Sequence, residues 1–205
     1  LRLTKEDAYT HPLQIANTIQ SWLLKNQKYI DKNDSKYISH HLHTNQRLPF
    51  GQFYLTYKIH KGMKNGLWPT RPVCSDISSL PHGLGKWVDQ MLQPIASSQP
   101  SYFKDSFEFK NIISQLTLPP GARLFTCDAK SMYTNIPTEP AIKHISTYLH
   151  SIHGKSFLHY QPSTLIDAIK IVFRNNIIQF GDTYWRQIAG TGMGISPAPP
   201  WATIF

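Results

Sequence analysis

The sequence predicts an α+β fold in which amphipathic helices are interleaved with two β-hairpins. Three observations carry that prediction. Apolar residues recur at helical spacing in several separate stretches. Two β-rich runs are each followed by a turn and a returning run. Pro/Gly breaks separate these pieces, and 205 residues are enough to bury a substantial core.

Taken in order, Ile15, Ile19, Trp22, Leu23 and Leu24 predict a helix over 12–29. Residues 31–50 are polar and rich in His and Asn, and read as an irregular or linking stretch. Phe53 to Ile59 reads as a strand, Lys61 to Pro69 as a turn with two glycines, an Asn and a Pro, and Arg71 to Ser75 as the returning strand. Leu84, Trp87, Val88, Met91, Leu92 and Ile95 predict a helix over 84–95; Phe109, Ile112, Ile113 and Leu116 predict another over 107–116. Leu118-Pro119-Pro120-Gly121 ends it. A short strand then runs from Arg123 to Asp128, and a helix from about 138 to 150 follows with Thr138 as its N-cap. Residues 163–175 form a further helix, and 176–188 a hairpin turning at Gly181-Asp182. Gly190-Thr191-Gly192-Met193-Gly194 and a Pro-rich segment lead to the apolar Trp201–Phe205. An apolar ending without a polar tail is the expected mark of a chain cut short.

Composition excludes several classes. Apolar residues make up 40% and aromatic residues 12% of the chain, against intrinsic disorder. No run approaches the roughly 18–20 apolar residues of a membrane-spanning helix. Cys74 and Cys127 cannot build a disulfide framework, and His40, His41 and His43 lack metal-finger spacing. No Ser/His/Asp arrangement emerges from spacing. No secretory signal pattern opens the chain, so Asn33-Asp34-Ser35 reads as a chance sequon in an intracellular protein.

The charge is unevenly placed. Twenty-one Lys and Arg against 12 Asp and Glu give +9, and Lys36, Arg47, Lys58, Lys61, Lys64 and Arg71 supply +6 between Ser35 and Ser75, where no acid occurs. An anionic partner follows, nucleic acid or nucleotide ahead of membrane; a solvated basic face is the alternative.

Three constellations could carry chemistry. Asp128, at the end of a short strand, offers a carboxylate on rigid scaffolding, as metal-dependent phosphoryl transfer requires; a turn or helix-cap aspartate is the alternative. Tyr133 could form an aromatic wall over the same place, or lie in the core. Lys58, Lys61, Lys64 and Arg71 could neutralise a triphosphate, Arg with a fork and Lys as point charges. The glycines of 190–194 permit close backbone approach, but they match neither the dinucleotide fingerprint nor a P-loop.

In this order the segments resemble a reverse transcriptase of the Penelope-like retroelement type. The resemblance covers about residues 50–205. Phe53-Tyr-Leu-Thr-Tyr-Lys-Ile-His-Lys61 is similar to the family's FYxLPKIHK, and Arg71-Pro-Val-Cys-Ser75 to RPIVS. Trp87 to Pro94 and Pro100 to Asp105 resemble the connecting helix and its PSYIKD exit. Phe125 to Pro137 resembles polymerase motif A, TLDVKSLYTNIP, and Gly190 to Phe205 resembles motif B, GTAMGxxxAPxxANLF. Departures are Thr56-Tyr57 for Leu-Pro, Cys127-Asp128-Ala129 for Leu-Asp-Val, and Thr203 for Asn.

The resemblance implies an RNA-directed DNA polymerase. It implies fingers with a basic hairpin over 49–118 and a partial palm with an antiparallel sheet over 119–205, which leaves 1–48 as an N-terminal helical and polar extension. Asp128 would be the motif A metal ligand, assisted by the Ala129 carbonyl, for two Mg²⁺ in the complete enzyme. Tyr133 would exclude a 2′-hydroxyl. Arg71 and a lysine, Lys58 or Lys61, would hold the triphosphate, and Met193 and Gly194 would meet the nucleotide where many relatives have Gln-Gly. Lys64 and Arg47 would contact nucleic acid. The implied partners are an RNA template, a DNA primer and deoxynucleoside triphosphates, in the nucleus of the parent element's host; no membrane is expected, and nothing in the sequence points to a protein partner. The paired aspartates of motif C do not occur in the sequence, so the expectation is a fragment inactive on its own. The rival readings are a non-catalytic nucleic-acid-binding remnant and a decayed fragment without a stable fold.

Overall fold

Thr4 opens the first helix through a reciprocal cap. Its hydroxyl accepts from the Asp7 amide at 3.0 Å, while its own amide donates to the Asp7 carboxylate at 3.2 Å. The computed structural model describes residues 1–45, 49–123, 125–155 and 160–205. Helix α1 runs from Lys5 to Asn26, starting earlier than the apolar spacing alone predicts, and buries Ile15, Ile19, Trp22 and Leu23. Pro12 sits inside it, past the first turn.

Helix α2, Lys32–Thr44, corrects the reading of 31–50 as irregular. Asp31 caps it, accepting from the Asn33 amide at 2.7 Å, and Ile38 and Leu42 form an i,i+4 pair that anchors an otherwise polar helix. Residues 46–48, and with them Arg47, lie outside the described residues.

Strands β1 (Gly51–Tyr57) and β2 (Thr70–Ser75) form the expected basic hairpin. They are joined through a 3₁₀ turn at Ile59–Lys61, so β1 ends before Ile59. Helix α3 (His82–Ser97) buries Leu84, Trp87, Val88, Leu92 and Ile95. Helix α4 (Ser106–Ser114) forms under an Asp105 cap, but its apolar face stays exposed. The predicted strand over 123–128 is not found: Leu124 lies outside the described residues, and Phe125 to Asp128 are exposed and irregular. Strand-forming composition does not suffice where no neighbouring strand offers a ladder.

A single-turn helix α5 (Met132–Asn135) precedes α6 (Thr138–Ser151) and α7 (Pro162–Arg174). Pro137, not Thr138, occupies the α6 cap position; the Thr138 hydroxyl instead donates to the Gly190 carbonyl at 3.1 Å. Strands β3 (Ile177–Phe180) and β4 (Thr183–Arg186) make the second hairpin. The Pro-rich segment becomes helix α8 (Ala198–Ile204). Its prolines fall in the first turn, where amides have no helical acceptor.

The two hairpins lie side by side in one sheet of order β2-β1-β3-β4. This sheet is mixed rather than antiparallel, because β1 and β3 run parallel, pairing Gly51 with Ile178 and Gln52 with Gln179. The fold is therefore α+β. Its core lies among helices α1, α2, α3, α6, α7 and α8, with Ile177 of β3 buried in it and Tyr184 of β4 packed against it. Trp22 meets Trp87 edge-on at 5.2 Å, and Phe173 stacks on Trp201 at 4.1 Å. Among the described residues no helix is long and apolar enough to cross a membrane.

Candidate functional site

The antiparallel register of β1 and β2 places Arg71 opposite Thr56 near the turn end of the hairpin. Lys58 follows the last residue of β1, where its amide donates to the Pro69 carbonyl at 2.8 Å. Lys61 closes the 3₁₀ turn. These three cations therefore come from one tip, and chain geometry alone brings them together.

Facing them is the segment that leads into α5. Ser131 adopts a left-handed conformation (φ 53°), and the reversal is tied by the Asn135 amide side chain donating to the Lys130 carbonyl at 3.0 Å. The Thr134 hydroxyl donates to the Ser131 carbonyl at 2.9 Å. This turn exposes Asp128 and Ala129 and leaves Tyr133 half-buried against the core.

The glycine loop of 190–194 joins the two sides. The Thr191 amide donates to the Tyr133 carbonyl at 2.6 Å, and the Met193 carbonyl accepts from the Cys74 amide at 2.8 Å. Gly190 (φ 75°) passes so close to α5 that a Cβ would lie 2.8 Å from the Thr134 carbonyl oxygen. The close approach these glycines permit is thus to the chain's own backbone.

Together these elements enclose a cleft of about 680 Å³ lined by Lys58, Lys61, Arg71, Asp128, Ala129, Tyr133 and Met193. Lys130, which sequence reasoning did not single out, lines it too. Four cations face one carboxylate, and none of them has an ion-pair partner among the described residues. Such an unpaired surplus suits a multiply charged anion. Lys64 lies elsewhere, in a turn where it exchanges backbone bonds with Leu67 at 2.8 and 3.0 Å. Gly194 lies outside this cleft and borders a second one, of about 660 Å³, on the far side of Tyr133 and Met193.

The second cleft holds a pair that the sequence did not disclose. His82 Nδ1 lies 3.2 Å from Asp76 Oδ1, both side chains being buried. The pair forms because Asp76 directly follows β2 and His82 begins α3 across a tight turn, a proximity with no spacing signature. His41 packs edge-on against His82 at 5.2 Å. Burial first, then His82 and His40, hold the His41 imidazolium pKa below the ordinary value. Burial also pushes the Cys74 thiol up, which keeps it protonated and unreactive.

Metal-binding capacity is small. Among the described residues no three His, Cys, Asp or Glu side chains group to hold an ion, and Asp128 is the one carboxylate lining the basic cleft. Asp128 with the Ala129 carbonyl suits a single Mg²⁺ that keeps its waters and shares substrate phosphates. This donor set does not fit a pair of ions about 3.5–4 Å apart, which requires bridging carboxylates. Comparison with family models, with curated proteins and with solved structures gives no match to this chain.

Proposed function

We propose that this chain carries the nucleotide-binding part of a template-directed nucleotidyltransferase, an RNA-directed DNA polymerase of the Penelope-like type. One observation carries the reading: Lys58, Lys61 and Arg71 of the hairpin tip face Asp128, Ala129 and Tyr133 across a single cleft. These are the residues to which the motif resemblance assigns the triphosphate, the metal and the sugar. They come from stretches of sequence far apart, and a merely solvated basic face would not require them to converge.

In this reading the Arg71 guanidinium forks onto phosphate oxygens, while Lys58 and Lys61 add point charges that offset the triphosphate's repulsion. Lys130 adds a fourth cation beside the carboxylate. Tyr133, braced by the core and by the Thr191 amide on its carbonyl, presents its ring as a fixed surface for the sugar. A Mg²⁺ held by Asp128 would neutralise charge on the phosphates as a Lewis acid. The reaction of the parent enzyme is addition of a deoxynucleotide to a primer 3′-hydroxyl on an RNA template. A second reading, nucleotide and nucleic-acid binding without turnover, is favoured by the solitary carboxylate.

Calorimetric titration with Mg²⁺-dTTP tests the proposal, with thymidine as the comparison. The triphosphate binds and thymidine does not, and Arg71→Ala weakens the triphosphate about tenfold or more, the size of charged hydrogen bonds lost. Equal binding of both compounds, or an unaffected Arg71→Ala variant, overturns the reading.

A further inference from the structure

The second cleft is lined on its polar side by Asp76, His82, Lys86 and Ser196, and shares Tyr133 and Met193 with the nucleotide cleft. His82 and Asp76 are each 6% exposed, an unusual depth for an ionisable pair. A turn fixes them: the Ser79 amide donates to the Asp76 carbonyl at 2.8 Å and the His82 amide to the Ser79 carbonyl at 3.1 Å. With Asp76 as a carboxylate, which only accepts, and His82 as a neutral imidazole, the 3.2 Å contact places the ring hydrogen on Nδ1. Nε2, which has no protein partner among the described residues, is then left as a lone-pair acceptor in a ring that lines the cleft.

An acceptor of this kind selects its ligand. Phosphate oxygens accept only, so a backbone phosphate cannot satisfy it. In a polynucleotide the available donors are base amino and imino groups and the ribose 2′-hydroxyl. A site that copies any sequence cannot depend on a base donor that some bases lack. The 2′-hydroxyl is the donor common to every residue of an RNA strand and absent from DNA. Position agrees, since the strand that pairs with a bound nucleotide must lie beside it, and the two clefts share the Tyr133–Met193 wall. Lys86 is exposed on the same cleft, where an ammonium can meet a phosphate.

We infer that this second cleft seats a residue of an RNA strand, with His82 Nε2 accepting its 2′-hydroxyl and Asp76 holding the imidazole in the required tautomer. The inference rests on the polymerase reading and adds to it a residue that distinguishes RNA from DNA. His82 is the contact; Asp76 is a positioning residue that acts through it.

Fluorescence anisotropy on the whole chain tests it, with four labelled 12-residue strands of one sequence at fixed salt: RNA, DNA, 2′-fluoro-RNA and 2′-O-methyl-RNA. The expected result is RNA bound about three- to tenfold more tightly than each of the others, the size of one hydrogen bond. His82→Phe brings RNA down to the level of DNA and leaves DNA unchanged. Asp76→Asn does the same by donating to Nδ1 and moving the ring hydrogen to Nε2, a change that a structural role alone would not confine to RNA. RNA and 2′-fluoro-RNA bound equally, or an RNA preference that survives in a folded His82→Phe or Asp76→Asn variant, overturns the inference and leaves the polymerase reading standing. The strand comparison needs no variant, so it decides even if both substitutions unfold the chain. Failure to bind any strand overturns both.

Discussion

The amide of Cys74 on β2 donates to the carbonyl of Met193 in the glycine loop at 2.8 Å. That bond, with the Thr191 amide on Tyr133, ties the basic hairpin to the segment bearing Asp128 through a loop that has little room for side chains. The cleft is therefore a product of backbone proximity, and its width is set by glycines.

Gly190→Ala tests this directly. Its Cβ would stand 2.8 Å from the Thr134 carbonyl oxygen at a positive φ, so the loop must move. The left-handed conformation alone costs about 1–2 kcal/mol, and the displacement adds to it. Gly181→Ala also has positive φ (56°) but meets nothing within 4 Å, so only the conformational part applies. Urea unfolding should show Gly190→Ala the more destabilised, and equal losses would contradict the close packing.

Tyr133 should set sugar selectivity. Titrations with dUTP and UTP, which differ only at the 2′ position, are expected to favour the deoxynucleotide in the wild type, and Tyr133→Ala should bring the two together by raising UTP affinity. Because Tyr133 also packs on the core, a thermal melt must accompany the titration. Unchanged selectivity in a folded variant would remove Tyr133 from its role.

Lys64 lies away from the cleft lining and is assigned to the polynucleotide. Lys64→Ala should leave Mg²⁺-dTTP affinity alone and flatten the slope of log K against log salt for a single strand by about 0.7, the share of one phosphate contact. A loss of triphosphate binding instead would put Lys64 in the nucleotide site.

His41 makes stability depend on pH. Its pKa is depressed in the fold, so the unfolded chain binds the proton more readily. The contribution is complete above the unfolded value, near 6.5, and is lost as pH falls from there through the folded value. Tyr37, His40 and His82 are the rings beside it. Thermal melts from pH 7.5 to 5 should fall for the wild type, and less steeply for His41→Phe; parallel curves would contradict the assignment.

What was legible in the sequence was periodic. Ile15, Ile19, Trp22 and Leu23, or Trp87, Val88, Leu92 and Ile95, repeat as a buried helix face requires, and the structure buries all of them. Helix α2 escaped because Ile38 and Leu42 stand nearly alone among polar residues, and its stability depends on packing against α3. The run to Asp128 has strand-like composition without a strand partner, and the parallel pairing of Gly51 with Ile178 spans too much sequence for any local signal. At the candidate site, motif order singled out Lys58, Lys61, Arg71, Asp128 and Tyr133, which the structure brings to one cleft. It did not single out the Asp76–His82 pair, because a buried hydrogen bond across a turn leaves no pattern in spacing.

In the proposed function, Asp128 faces the three cations across one Mg²⁺-nucleotide. The sign of the Asp128→Asn effect on dTTP affinity, measured with Mg²⁺ and again in EDTA, tests this most directly. A carboxylate that only neighbours the triphosphate repels it, so its removal would tighten binding under both conditions. A carboxylate that holds the nucleotide's Mg²⁺ gives opposite signs: Asp128→Asn weakens dTTP with Mg²⁺ and tightens it in EDTA. Opposite signs are the predicted result; tightening in both, or no change in either, would contradict the placement of Mg²⁺ on Asp128.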